Sequence, residues 1–227
     1  MNNEGKGNNI NNNEELFTDE FFSEINNLKK LNEKKSKIDS INNYLKENTS
    51  NNNLSNNKNI SKLFDFLLSN LNENNNNYVL SQLKLIETLI SINNNTLNSS
   101  KENFQNFAKN VLPKLFDKYY LQNPKINENI TNILHNFIQN KILSLADYYP
   151  HIENISLDEE DNYRNNILIL LKDNIEKDKD IKEDKIPKGI LDIFNKLTKD
   201  EEENISNTAK QTIQILNQRK QIAKYRK

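Results

Sequence analysis

ISKLFDFLLSNLNENNNNYVLSQLKLIETLI, residues 60–90, decides the fold. Ile60, Leu63, Phe64, Leu67, Leu68 and Leu71 recur at steps of three and four, the spacing that gathers side chains on one face of an α-helix. After a polar run at residues 72–77 the spacing resumes with Val79, Leu80, Leu83, Ile86, Leu89 and Ile90. The two stretches read as amphipathic helices joined by a short polar turn. One such pair cannot bury both stripes, so it has to stack against further pairs.

Further pairs flank it on both sides. Phe17, Phe21, Phe22, Ile25 and Leu28 share a face, as do Ile38, Ile41, Tyr44 and Leu45. Downstream, stripes run through 104–119, 126–138, 167–175, 186–197 and 205–222. Strict alternation of apolar and polar residues is absent, so no strands are predicted. The polar breaks at 72–77, 123–124, 158–161 and 199–203 recur about every 37 to 48 residues, the period of HEAT and armadillo units. The predicted pairs are 17–30 with 37–47, 60–71 with 78–92, 104–121 with 126–139, 143–152 with 161–176, and 186–198 with 204–220. The expectation is an all-α fold, an α-solenoid of about five HEAT-like helical pairs. Its expected limits are 14–220, between a disordered Asn-rich tail at 1–13 and a basic C-terminal extension at 221–227.

Composition narrows the chemistry. The 227 residues include no Cys, no Trp and only two His, with glycines at Gly5, Gly7 and Gly189 alone. There is therefore no disulfide, thiolate metal site or cysteine nucleophile, and no Gly-rich phosphate loop. His135 and His151 cannot form a histidine cluster by themselves; His135 reads as a surface or boundary position of its helix. The net charge of −1 is unlike that of a dedicated nucleic-acid binder. No run of 18 or more apolar residues exists, and residues 1–13 lack the apolar core of a secretory signal, so a cytoplasmic or nuclear location is expected. About a fifth of the residues are Asn, concentrated in the turns and connectors, where they read as filler. The acidic runs at 158–161 and 200–203 lie at predicted helix starts, where carboxylates favour the dipole. No base or nucleophile accompanies them. The chain is expected not to be an enzyme and to need no cofactor or metal. The tyrosine pairs Tyr119–Tyr120 and Tyr148–Tyr149 read as inter-helix packing residues with solvated hydroxyls.

Three segments carry a family resemblance. Residues 60–90 have the form of an apolar helix, a short Asp/Asn-rich turn and then V-x-x-x-L-K-x-I-x-x-L. Residues 104–138, FQNFAKNVLPKLFDKYYLQNPKINENITNILHNFI, contain a helix with V-L-P-x-L-x-x-K that runs into N-P-K-I. Residues 186–216, IPKGILDIFNKLTKDEEENISNTAKQTIQIL, carry the small Ala209 in their second helix. In this order the segments resemble the TOG domain, the tubulin-binding HEAT module of the microtubule polymerase and CLASP families. The resemblance spans about residues 17–220.

The resemblance implies that the intra-pair turns line one edge and that this edge binds the tubulin heterodimer, with an influence on microtubule dynamics and a microtubule-associated location. Carried over by position, the first turn is LNEKKSKID at 31–39. There Ser36 stands where the family usually has a Trp, flanked by Lys34, Lys35 and Lys37. In the second turn Tyr78 and Val79 match the apolar position, and they also read as the first core residues of their helix. Lys125 in the third turn and Arg164 in the fourth match basic positions, and the fifth offers Lys199. Lysine and arginine on such an edge suit strongly acidic tubulin. The alternative is a HEAT- or armadillo-like adaptor that binds another protein through its concave helical face.

Overall fold

The computed structural model describes residues 17–48, 59–96, 101–121, 123–158, 160–179, 181 and 185–225. The expected tail at 1–13 lies outside them. The described residues are helical with no strand, and they form five helical pairs in two compact units, divided after Lys101.

The first unit holds α1 (Asp19–Asn27), α2 (Leu31–Glu47), α3 (Ile60–Asn70) and α4 (Asn76–Thr96). Thr18 caps α1: its hydroxyl oxygen accepts the Phe21 N–H at 3.2 Å, and Asp19 and Glu20 occupy the first turn, where the dipole favours them. The second helices, α2 and α4, pack side by side, and α1 lies against α2 and α3. Phe22 stacks on Phe66 with ring centroids 4.7 Å apart, and Lys62 of α3 pairs with Asp19 of α1 at 2.7 Å. Leu45, Leu63, Leu67 and Leu83 are wholly buried. Each such side chain contributes about 1.5–3 kcal/mol on removal from water.

The α3–α4 turn is closed by polar groups. Asn75 accepts the Tyr78 N–H at 3.1 Å, the Tyr78 hydroxyl donates to Asn70 Oδ1 at 3.4 Å, and Gln82 Nε2 donates to the Asn70 carbonyl at 3.2 Å. Burial, with a smaller contribution from Glu73, pushes the Tyr78 phenol up to about 12.

The second unit holds α5 (Lys101–Tyr120), α6 (Pro124–Gln139), α7 (Leu145–Ile152), a 3-10 turn (Ile155–Leu157), α8 (Asp161–Lys177), α9 (Lys188–Leu197) and α10 (Glu203–Tyr225). Here α6, α8 and α10 form a row, with α9 against α10 and against the 3-10 turn. Polar ties link successive pairs: Lys109–Asp147 at 3.5 Å joins α5 to α7, and the Tyr148 hydroxyl donates to the Leu134 carbonyl at 2.6 Å, joining α7 to α6. Between α8 and α10, Lys172 donates to Gln211 at 3.1 Å. Arg219 of α10 donates to the carbonyls of Glu176, Asp178 and Ile181, tying α10 to the last turn of α8 and the residues that follow it. α10 continues past residue 220 into the stretch expected to be an extension.

Three expectations are corrected. The first intra-pair turn is residues 28–30, not 31–39, and α2 starts at Leu31 rather than near Lys37. Leu28 is extended (φ −62°, ψ 128°) and stops α1. Residues 31–37 hold Leu, Glu and Lys, good helix formers with no Gly or Pro among them, so the helix begins before its apolar stripe does. His135 is not on the surface: it is 8% exposed, with Nδ1 3.0 Å from Asn174 Oδ1 on α8. The hydroxyls of Tyr119 and Tyr148 are held by Thr131 (3.0 Å) and the Leu134 carbonyl rather than by solvent.

Candidate functional site

The intra-pair turns of the second unit carry the two most exposed large apolar side chains among its described residues, Leu157 and Leu121. α5 ends at Tyr120, and Leu121 follows it. Asn123 then caps α6 by accepting the Ile126 N–H at 3.2 Å, with Pro124 in the first helical turn, where its missing N–H costs nothing. Lys125 comes next and is exposed. Between α7 and α8 the 3-10 turn presents Leu157. Tyr120, Leu121 and Leu157 are 45%, 67% and 76% exposed, whereas the apolar residues on either side of the turns are buried. Single exposed leucines are ordinary; here Leu121 and Leu157 fall on two successive intra-pair turns of the same unit.

Behind this surface Arg164 acts as a clamp. Its side chain is 12% exposed. It donates to the Asp158 carbonyl and pairs with Asp161 at 2.7 Å and with Asp200 at 3.1 Å. Asp200, on the turn between α9 and α10, has its side chain 8% exposed and also accepts the Glu202 N–H at 3.0 Å. The fourth and fifth turns are thus held together by one guanidinium. Beside it runs a groove of about 470 Å³, lined by Leu157, Arg164, Lys196, Lys199 and Glu201 among others.

The residues expected at the site are distributed as follows. Arg164 and Lys199 line that groove together, and Lys199 is exposed. Arg164 is largely covered and its charge is met by two carboxylates, because the α8 start places it between two acidic turns. The basic position that the resemblance implies is thus occupied by a cation already engaged within the chain. Lys125 is exposed on the same unit, outside the groove. Tyr78 and Val79 lie in the first unit at 0% and 1% exposure, so as they stand they offer a partner no area. They are core residues because they begin the inward stripe of α4. Lys34, Lys35 and Ser36 sit within α2 rather than in a turn, and Lys35 is paired with Asp39 at 2.5 Å, one helical turn on.

Leu121, Leu157 and Asp200 were not singled out from the sequence. Leu157 had a signal: it falls between the apolar stripe and the acidic run at 158–161, on no helical face. Asp200 was read only as part of the acidic run at 200–203, and its pairing with Arg164 had no signal because the two are distant in the chain. Among the described residues no group of three or more His, Asp or Glu could hold a metal ion, and no helix is long and apolar enough to cross a membrane.

No protein-family model matches the chain, and no curated protein does. Among solved structures, the crystal structure of the MAST/Orbit N-terminal domain superimposes with a TM-score of 0.66 at 14% identity, covering 89% of this chain and 84% of that one. A designed armadillo repeat protein aligns over 87% of this chain and 98% of its own at 13% identity, but with a TM-score of 0.33 that carries no argument. At this identity the first match speaks for the fold alone. The protein has the helical-repeat fold of the MAST/Orbit N-terminal domain, which is the fold that the TOG resemblance of its sequence implies.

Proposed function

We propose that this chain is a TOG-like protein-binding module whose partner is the tubulin heterodimer, bound through the intra-pair turns, and that it acts on microtubule dynamics. The observation that carries the reading is the exposure of Leu121 and Leu157 on successive turns of the second unit, with Lys125 and Lys199 on neighbouring turns. Leucines at the centre of such a contact supply the desolvated apolar area, and lysines at its rim steer an acidic partner. In this reading Arg164 holds the edge in shape and does not touch the partner. No Trp anchor is available, so affinity rests on the leucines.

Size-exclusion chromatography with soluble tubulin at low salt tests this, since screening of the lysines is weakest there. Wild type should co-elute, and Leu121→Asp/Leu157→Asp should not. Lys125→Glu/Lys199→Glu should lower co-elution and flatten its salt dependence. Absence of wild-type co-elution at low salt would remove tubulin as the partner.

One observation favours a second reading, an adaptor for a different protein. Asp158, Glu160 and Asp161 on the fourth turn and Asp200, Glu201, Glu202 and Glu203 on the fifth outnumber the lysines of that edge. A basic partner would suit it. Failure of the wild-type chain to co-elute with tubulin at low salt, where steering by its lysines is strongest, would point there.

A further inference from the structure

A second cavity of the second unit lies between its first and second helical pairs, where α5 faces the end of α7 and the start of α8. It holds about 340 Å³. Its walls are aromatic: Tyr120 meets Tyr163 edge-on at 5.0 Å, and Phe116 stacks with His151 at 5.5 Å. Three carboxylates, Asp117, Glu153 and Asp158, also line it. No Lys or Arg lines it, and no ion pair joins Asp117 or Glu153 to a described cation. Tyr163 is 8% exposed and lines the cavity, and its hydroxyl makes no hydrogen bond to a described residue. Burial first, then Asp158, with Tyr119, Asp117 and Tyr120 adding to it, raises that phenol to about 12. His151 is pushed down by burial, against a smaller upward pull from Asp117, so near neutral pH it adds no positive charge to the wall.

We propose that this notch receives an arginine side chain projecting from a protein partner. A guanidinium is planar, stacks on an aromatic face and donates in a fork that matches carboxylates. It would lie against Tyr120, donate to Asp117 and Glu153 at the rim, and offer the Tyr163 hydroxyl a polar neighbour. The volume is that of a small preformed pocket. A lysine ammonium satisfies the charge but not the stacking. The proposal adds a cation-selective subsite to the turn edge and does not depend on tubulin being the partner.

The test uses the full chain and a fluorescein-labelled tetra-arginine peptide, read by anisotropy, with tetra-lysine alongside. Tetra-arginine should bind more tightly than tetra-lysine. Asp117→Asn/Glu153→Gln should weaken it about tenfold, and Tyr120→Ala about fivefold, with Tyr120→Phe retaining the wild-type value. These positions are exposed, so far-UV circular dichroism should be unchanged. Glu20→Gln/Glu24→Gln, exposed on the first unit, removes the same charge elsewhere and should leave binding as it is. Equal binding of the two peptides, equal loss in the first-unit control, or no loss in Tyr120→Ala would each overturn the proposal, since the attraction would then be general charge.

Discussion

Replacing Arg164 with Met removes the clamp between the fourth and fifth turns while keeping most of the side-chain volume. The Arg164 and Asp200 side chains are 12% and 8% exposed, so little solvent screening applies to their 3.1 Å pair. The Asp161 pair, with its carboxylate 54% exposed, is largely solvated and adds little. Breaking a buried pair by deleting one partner costs about 3–5 kcal/mol, because a charge stays buried without its counter-charge. Asp200 keeps the Glu202 N–H, which softens the loss. We therefore expect the low end, about 3 kcal/mol. Urea unfolding followed by far-UV circular dichroism should report it. Hydrogen exchange places it: amides of α8 and α10 that exchange only by opening of the second unit should speed up roughly 100-fold, and those of the first unit should not change. In a double-mutant cycle with Asp200→Asn, the double variant should lie closer to wild type than the sum of the singles. A loss below about 1 kcal/mol, the value of a surface pair, would refute the clamp. If tubulin co-elution then vanished as well, Arg164 would be a contact residue after all.

A Cβ on Gly189 would fall 2.2 Å from the Tyr149 ring, so Gly189→Ala should destabilise by about 1–2 kcal/mol despite the better helix propensity of Ala. Adding Tyr149→Ala should relieve the clash, which thermal unfolding of the three variants checks. Arg219→Ala removes a donor from three carbonyls at and just beyond the end of α8, of which Asp178 keeps the Ile181 N–H, and should cost about 1–2 kcal/mol, with faster exchange confined mainly to that end. The phenols of Tyr78 and Tyr163 are raised to about 12 from the ordinary 10.0, so the folded state holds protons that the unfolded chain gives up. Stability should be intact below pH 10 and fall as the pH rises from 10 towards 12. Tyrosinate absorbance should then lag behind that of the unfolded chain. His151 is lowered, so stability should rise with pH through the ordinary histidine range and level off above it, and His151→Phe should abolish that portion of the profile.

The helices and their pairing were legible in the chain because both depend on local periodicity. Residues 60–90 alone imply a helix, a turn and a second helix, and repetition of that pattern implies stacking. The first turn was misread for the same reason. Residues 31–37 have no apolar stripe, but they have the propensity to be helical, and periodicity reports burial rather than helix. Tyr78, Val79 and Arg164 were recognised as special positions, yet their roles depend on what lies opposite. Tyr78 is covered by α3, and Arg164 faces an aspartate on the turn of the next pair.

The sequence by itself determined the class of fold, the number of pairs and the absence of cysteine and glycine-loop chemistry, since spacing and composition are properties of the chain alone. Only the tertiary structure decided which charges are free. Arg164 and Lys199 look alike as basic residues at the turns, but one is enclosed by carboxylates from separate turns and the other reaches solvent. The same holds for the leucines: Leu121 and Leu157 are as apolar as those of the core, and only the packing of neighbouring pairs leaves them uncovered. Exposure and charge pairing follow from contacts between residues distant in the chain, which no local pattern records.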